Sequence, residues 1–373
     1  MKVGIPKEIK NHEYRVAITP AGVYELARNG HEVFIEADAG AGSSITDPEF
    51  VNAGATILAT ADDVWSVGDL ILKVKEPIQD EYHRMRDGQT LFTYLHLAAS
   101  RDCAEALLKA GVTGIAYETV ELPDGSLPLL APMSEVAGRL APQVGANALM
   151  RANGGRGVLM GGVPGVHRAK VVVLGAGVSG QNAMAIALGM QAEVSVLDLN
   201  VTRLRQLDSV YQGRVQTVAS NAFEIERAVL AADLVIGAVL VPGAKAPTLV
   251  SNELVSRMKS GSVLVDISID QGGCFEDSRP TTHDDPTYGV HDAIFYCVAN
   301  MPGAVAHTST NALVNVTLPY ALSLANLGWR GALEANGPLA LGLNTHAGHL
   351  TYTAVAEAFP ELPAMTGEAA WSA

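Results

Sequence analysis

Val171-Val-Val-Leu-Gly175-Ala-Gly177-Val-Ser-Gly180 is the stretch that decides the fold. An apolar, β-branched run passes directly into G-x-G-x-x-G, and a helical segment rich in small residues, Gln181–Gly189, follows. Gly175 permits a tight turn, Gly177 lets backbone approach a pyrophosphate, and Gly180 lets the helix pack close to the strand. The helix start then offers unpaired N–H groups and partial positive charge to phosphates. The next apolar run, Glu193–Leu197, ends on Asp198. A carboxylate there hydrogen-bonds a ribose 2′-OH and repels a 2′-phosphate, which selects NAD over NADP. Arg203 works the other way, since a nearby cation tolerates a phosphate.

Outward from this loop, apolar runs alternate with helical patterns. Strands are expected at Lys170–Leu174, Glu193–Leu197, Val215–Val218, Leu234–Gly237, Ser262–Ile267 and Phe295–Val298, two three-strand halves of a dinucleotide-binding sheet. An earlier series falls at Val3–Ile5, Glu32–Ile35, Leu70–Val74, Thr90–Leu95 and Gly114–Tyr117, with helices such as Pro20–Asn29 and Arg101–Ala110 between. Between the two series, Pro128–Ala152 reads as one long helix with Pro142 as a kink point, then Gly154–Gly165 as a turn or hairpin connection. A long helix near Ser309–Leu327, helical material to about Phe359 and a loose tail, Pro360–Ala373, complete the chain. The expectation is an α/β protein of two doubly wound Rossmann-like domains, joined by long helices, with a cleft between them. The substrate domain is discontinuous, 1–127 plus 307–373, and the NAD-binding domain is 128–306.

The 373 residues suffice for two domains, and 48% hydrophobic content gives each a core. With 25 basic against 39 acidic residues, the net charge of −14 argues against a nucleic-acid surface. It does not exclude a small anionic substrate, because one local cation outweighs a distant net charge. Cys103, Cys274 and Cys297 form neither metal spacing nor a disulfide framework, which fits a reducing cytoplasm. The opening MKVGIPKEIK lacks the apolar core of a signal peptide. Ala312–Trp329 is uncharged but contains Asn315, Thr317, Pro319, Ser323 and Asn326, so it reads as a buried helix and not a membrane span.

Ligand sites in open α/β sheets lie beyond the C-terminal ends of strands. Lys75 closes Leu70-Ile-Leu-Lys-Val-Lys75, stopped by Pro77, and His96 closes Leu91-Phe-Thr-Tyr-Leu-His96. Arg15, in Glu13-Tyr-Arg-Val-Ala-Ile-Thr-Pro20, precedes a helix start. Asp270 follows the fifth strand of the cofactor domain, near where a nicotinamide would lie, and Asn300 and Met301 follow the sixth. Each has a plainer reading: a solvated charge for Arg15 or Lys75, a backbone partner for His96, an Asx-turn before two glycines for Asp270.

Taken together, the motifs resemble the alanine dehydrogenase family, which also includes the NAD-binding subunit of proton-pumping transhydrogenase. They are Val3-Gly-Ile-Pro-Lys-Glu8, Glu13–Pro20, Lys73-Val-Lys75-Glu-Pro77, Tyr94-Leu-His96-Leu-Ala98, Ala131-Pro-Met-Ser134-Glu-Val-Ala-Gly138, the Gly175–Gly180 loop, and Val265-Asp-Ile-Ser-Ile-Asp270-Gln-Gly-Gly273. The resemblance spans about residues 1–360. Asn147 and the tail after Pro363 depart from it.

The resemblance implies NAD-dependent, reversible oxidative deamination of L-alanine to pyruvate and ammonia by a homohexamer. It implies that Arg15 and Lys75 bind substrate, that His96 is the acid/base, and that Asp270 is a second catalytic residue. Ser134, Gly175, Gly177, Val178, Ser179, Gly180, Asp198, Arg203, Ser220, Val239, Leu240, Ile267, Asp270, Arg279, Val298, Asn300 and Met301 would line the NAD site. The residue types suit the chemistry. A guanidinium grips a carboxylate with two hydrogen bonds. An ammonium polarises a carbonyl oxygen. Imidazole is the side chain that ordinarily exchanges protons near neutrality. Two competing readings are a transhydrogenase-type NAD-binding subunit and a non-catalytic NAD sensor. Glycine, run as glyoxylate, competes as substrate, since one methyl group discriminates by only ~1–3 kcal/mol.

Overall fold

The computed structural model describes residues 1–239 and 246–370. It forms two compact units: Met1–Met133 together with the chain from Val305 on, and Ser134–Ala304.

The first unit is built on six parallel strands: β1 (Lys2–Ile5), β2 (Glu32–Glu36), β3 (Thr56–Leu58), β4 (Leu70–Leu72), β5 (Thr90–Thr93) and β6 (Thr113–Ala116). Their order across the sheet is β6-β5-β4-β1-β2-β3, so the chain reverses direction between β1 and β4. The three strands β4, β5 and β6 are buried along their whole length, as expected of parallel strands covered on both faces. Helix Pro20–Arg28 starts where Thr19 accepts from the Gly22 N–H and Pro20 needs no donor partner.

The second unit repeats the plan. Its strands are β7 (Lys170–Leu174), β8 (Glu193–Asp198), β9 (Gln216–Ala219), β10 (Leu234–Gly237), β11 (Val263–Asp266), β12 (Thr287–Val290) and β13 (Ala293–Tyr296). The order is β12-β13-β11-β10-β7-β8-β9, with all pairs parallel except β12 against β13. The switch falls between β7 and β10, the arrangement expected of a dinucleotide-binding sheet. Helix Val178–Gly189 follows β7 and buries Gly180, Ala183, Met184 and Ala187 against it.

The chain then returns to the first sheet. β14 (Leu343–His346) and β15 (His349–Leu350) form a hairpin, and β14 pairs antiparallel with β6. This corrects the helical expectation for the region. His346 faces His349 across a two-residue loop, Ala347-Gly348, with φ of 46° and 78°. Two successive positive φ values turn a hairpin and cannot continue a helix.

Other boundaries also shift. Strands β3 and β12 were not expected. The long helix before the glycine-rich stretch spans Ala131–Ala148, and residues 154–165 form turns without strand pairing. The late helix spans Ala306–Ala335, broken at Gly328, whose φ 69°, ψ 167° is not helical. The segment expected to be a loose tail is anchored: Leu350 donates to Pro363 and Met365 donates to Leu350 at 2.8 Å each, and Arg101 pairs with Glu361. No helix among the described residues is long and apolar enough to cross a membrane.

Candidate functional site

In the first unit, Arg15, Lys75 and His96 follow β1, β4 and β5, three neighbouring parallel strands. They therefore share one edge of the sheet, the edge at which open α/β sheets bind ligands.

Arg15 is buried. Its Nε and Nη2 donate to the two oxygens of Glu13, at 2.6 and 2.5 Å, and Nη1 donates to the Met133 thioether at 2.9 Å. Burial alone would lower the guanidinium's proton affinity, but the Glu13 carboxylate outweighs it. The fork is thus fixed on one side by a strong acceptor and capped on another by a weak one.

Lys75 is half-buried. β4 ends sooner than expected, at Leu72, yet the chain stays beside β5: Lys73 N–H donates to Phe92 O, and Tyr94 N–H to Val74 O. Next to Lys75, Glu76 pairs with Lys10 through one oxygen, while its other oxygen is buried with no hydrogen-bond partner. Burial pushes the Glu76 carboxyl up, but Lys75, Lys10 and His96 more than reverse this and hold it below the usual range. That carboxylate is a common neighbour of Lys75 and His96.

His96 adopts a left-handed backbone, φ 47° and ψ 37°, uncommon for a residue with a side chain. Glu118 holds it there. Its Oε1 accepts the His96 N–H at 2.6 Å, its carboxylate also accepts the Leu95 N–H, and Oε1 lies 3.9 Å from His96 Nδ1. The imidazole stacks on Tyr94, 6° from parallel, and 40% of the side chain remains exposed. Tyr94 is itself pinned by its hydroxyl, which donates to Leu129 O at 2.5 Å. Sequence reading missed Glu118 and Glu13. Glu118 had a positional signal, since it follows β6, the next strand beyond β5.

In the second unit, the glycine loop behaves as two different devices. Gly175 takes φ 98°, and a Cβ on Gly180 would lie 1.9 Å from Gly175 O, so Gly180 is required by the fold itself. A Cβ on Gly177, by contrast, would meet no atom within 4 Å. Nothing in the protein demands glycine there, and the open space suits a ligand's pyrophosphate. No side chain caps the helix that begins at Val178, which leaves its first N–H groups without a side-chain acceptor, as suits an anion site. Val178 and Ser179 form its first turn.

Asp198, at the end of β8, accepts from Ala176 N–H and Asn200 N–H at 2.7 Å each, and Arg203 Nη1 lies 3.5 Å from it. Ser220 follows β9 and donates its N–H to Asp198 O. Val239 follows β10 and is tied to Ser268 by two hydrogen bonds, and Ile267 follows β11. Val298 and Met301 are buried just after β13, and Asn300 between them has φ 64°. These residues occupy the C-terminal edge of the second sheet. Arg279 is exposed, with its guanidinium 4.0 Å over the Tyr288 ring. Ser134 is half-buried near the start of the Ala131–Ala148 helix. Leu240 lies outside the described residues.

Asp270 is exposed in the short helix Ile267–Gln271. Its neighbour Asp266 is fully buried and braces the loop, accepting from Ser268 N–H, Cys274 N–H and the Ser278 hydroxyl at 2.9, 2.8 and 2.5 Å. One aspartate of the motif is structural, and the other is available for chemistry.

The geometry defines an α/β protein with a dinucleotide-type sheet and a second, similarly ordered sheet carrying cations and an imidazole at its ligand edge. Family models for the N-terminal and C-terminal domains of alanine dehydrogenase/PNT match residues 4–137 and 141–353. The chain belongs to the alanine dehydrogenase/PNT family. It is 66% identical over 357 residues to the alanine dehydrogenase of Mycolicibacterium smegmatis, covering 96% of each chain. A solved L-alanine dehydrogenase superposes with a TM-score of 0.94 at 53% identity, over 97% of this chain and 99% of that one. A transhydrogenase from Sinorhizobium meliloti is more distant, with a TM-score of 0.80 and 28% identity over 95% and 100%.

Proposed function

We propose that this protein is an NAD-dependent alanine dehydrogenase, interconverting L-alanine with pyruvate and ammonia. The observation that carries the reading is Arg15, Lys75 and His96 sharing one sheet edge, in a chain two-thirds identical to a protein named alanine dehydrogenase. The discontinuous unit handles the amino acid and the central unit the dinucleotide.

Bound NAD supplies the hydride acceptor. Gly175–Gly180 and the helix behind them hold its pyrophosphate, and Asp198 reads its ribose. Ser134, Arg203, Ser220, Val239, Leu240, Ile267, Arg279, Val298, Asn300 and Met301 complete that assignment. Arg15, gripped by Glu13, turns Nη1 to the substrate carboxylate, which displaces the weakly accepting Met133 sulfur. Lys75 stabilises negative charge on the substrate oxygen. His96, aligned by Tyr94 and Glu118, takes a proton from attacking water in one direction and returns it to the leaving oxygen in the other. Asp270 offers negative charge beside the cationic imine.

The cytoplasm suits three buried cysteines that form no disulfide. A homohexamer suits the exposed apolar residues Met150, Leu159, Val163 and Val166 along one glycine-rich stretch. Light scattering should give six copies, and a monomer would contradict that assembly. The activity itself is tested by following reduced-nicotinamide absorbance with L-alanine, glycine and alaninamide, each with NAD or NADP. L-Alanine with NAD should be strongly preferred, and Asp198→Ala should narrow the gap between cofactors. Equal efficiency with NADP in the parent would refute the role given to Asp198, and faster glycine turnover would reassign the substrate.

A further inference from the structure

Lys75 needs something to fix it, because it stands past the end of β4, one residue beyond Val74, whose carbonyl still accepts the Tyr94 N–H. The fixing group lies in the loop after β1. Glu8 is buried, and its Oε1 accepts the Val74 N–H at 2.6 Å and the Lys75 N–H at 3.4 Å. Its other oxygen meets Lys73 Nζ at 3.0 Å, and Lys73, wholly buried, meets Glu81 Oε1 at 2.8 Å. The second oxygen of Glu81 accepts the Ile78 N–H at 3.1 Å. Residues 74–78 are therefore held at both ends by two carboxylates joined through one buried ammonium. Burial alone would lower the Lys73 pKa, but the two carboxylates overcome this and raise it.

A buried ion triad is a poor device for stability, since well-packed apolar side chains of the same volume do as well or better. Its distinctive property is directional: both oxygens of Glu8 must act as acceptors, one toward backbone and one toward Lys73. Glutamine has one acceptor and one donor, so it cannot serve both sides. Aspartate keeps the charge but withdraws the oxygens by one methylene.

We infer that Glu8 is a positioning residue for the reaction: it sets the backbone from which Lys75 reaches the substrate. This rests on the alanine dehydrogenase reading. Displacing a catalytic group by about 1 Å costs on the order of 100-fold in rate.

The experiment compares Glu8→Gln, Glu8→Asp and Glu81→Gln in the full chain. Pyruvate kcat and KM, NADH affinity by fluorescence, melting temperature and hydrogen exchange at the Val74 and Lys75 amides are measured. Both Glu8 variants should lose about 10–100-fold in pyruvate kcat/KM, including a fall in kcat, with NADH affinity unchanged. Their Val74 and Lys75 amides should exchange faster. Glu81→Gln, which deprives the same ammonium of its other carboxylate, should lose less than about 3-fold. Parent-like kinetics in Glu8→Asp would overturn the inference, as would losses in Glu81→Gln equal to those in Glu8→Gln. Should Glu8→Gln fail to fold, Glu8→Asp retains the charge and carries the test. A parent protein without pyruvate turnover would defeat the functional reading instead. Amide exchange then decides the Glu8 contact, and unchanged protection in Glu8→Asp would refute it.

Discussion

Compare the C-terminal edges of the two sheets. Both sheets place six parallel strands in the same order, with the chain reversing at the same point. At the edge of the second, the loop after the first strand is made of glycine, open space and N–H groups, with carboxylates bracing backbone from behind. At the edge of the first, the corresponding loops carry Arg15, Lys75 and His96: a carboxylate holds the Arg15 guanidinium, another accepts the Lys75 backbone N–H, and a ring stacks on the His96 imidazole. One topology thus serves two purposes. Under the function proposed above, the edge stripped of side chains would admit a large polyanion, and the edge carrying them would grip a small substrate.

Removing side chains should therefore matter most in the first unit. His96→Ala should lose on the order of 10²–10⁴-fold in turnover, the usual scale for a general acid/base. Lys75→Ala should be nearly inactive. NADH binding, followed by fluorescence, should survive in both, and parent-like turnover in either variant would break the contrast.

Adding a side chain should matter most in the second unit, in two ways. Gly180→Ala forces a methyl against Gly175 O and should cost about 1–3 kcal/mol of stability, the range for overpacking. Gly177→Ala should melt like the parent, because its methyl meets no protein atom, yet bind NADH more weakly. If Gly177→Ala kept full NADH affinity, the space beside it would not be the pyrophosphate site.

The smallest expected effect lies at the antiparallel edge of the first sheet. His346 packs on Trp329 and bonds Thr113, and its pKa is lowered from 6.5, chiefly by burial, with Arg330 adding to the shift. His349 acts in the same direction and Asp87 against it. The unfolded chain therefore binds this proton more readily, so stability falls as pH drops through about 6.5. Urea midpoints at pH 8 and pH 5.5 should differ less in His346→Gln than in the parent.

The sequence was most legible where a single rule governs many residues. Lys170–Leu174, Leu234–Gly237 and Arg101–Ala110 have the bounds that β-branching and helical spacing imply. Strands β3 and β12 escaped because short, partly exposed edge strands carry little periodicity. The β14–β15 hairpin escaped because Ala347 is an unusual residue at positive φ. At the candidate site, the residues that would touch ligands stood out as polar groups at strand ends. Glu13, Glu118, Glu8 and Asp266 did not, since bracing depends on which backbone N–H a carboxylate meets, and that is fixed only by the folded loop.

The hairpin that returns to β6 also sets an order of events during synthesis. β6 is made early, but its partner β14 emerges more than two hundred residues later, after the whole second unit. The central unit is contiguous and can complete as soon as it leaves the ribosome, because domains generally fold as units. The first sheet meanwhile waits with the edge of β6, buried throughout in the finished fold, unpaired, a template for foreign strands. A nascent chain stalled before Leu343 exposes that edge for as long as the stall lasts, and chaperone dependence should concentrate there.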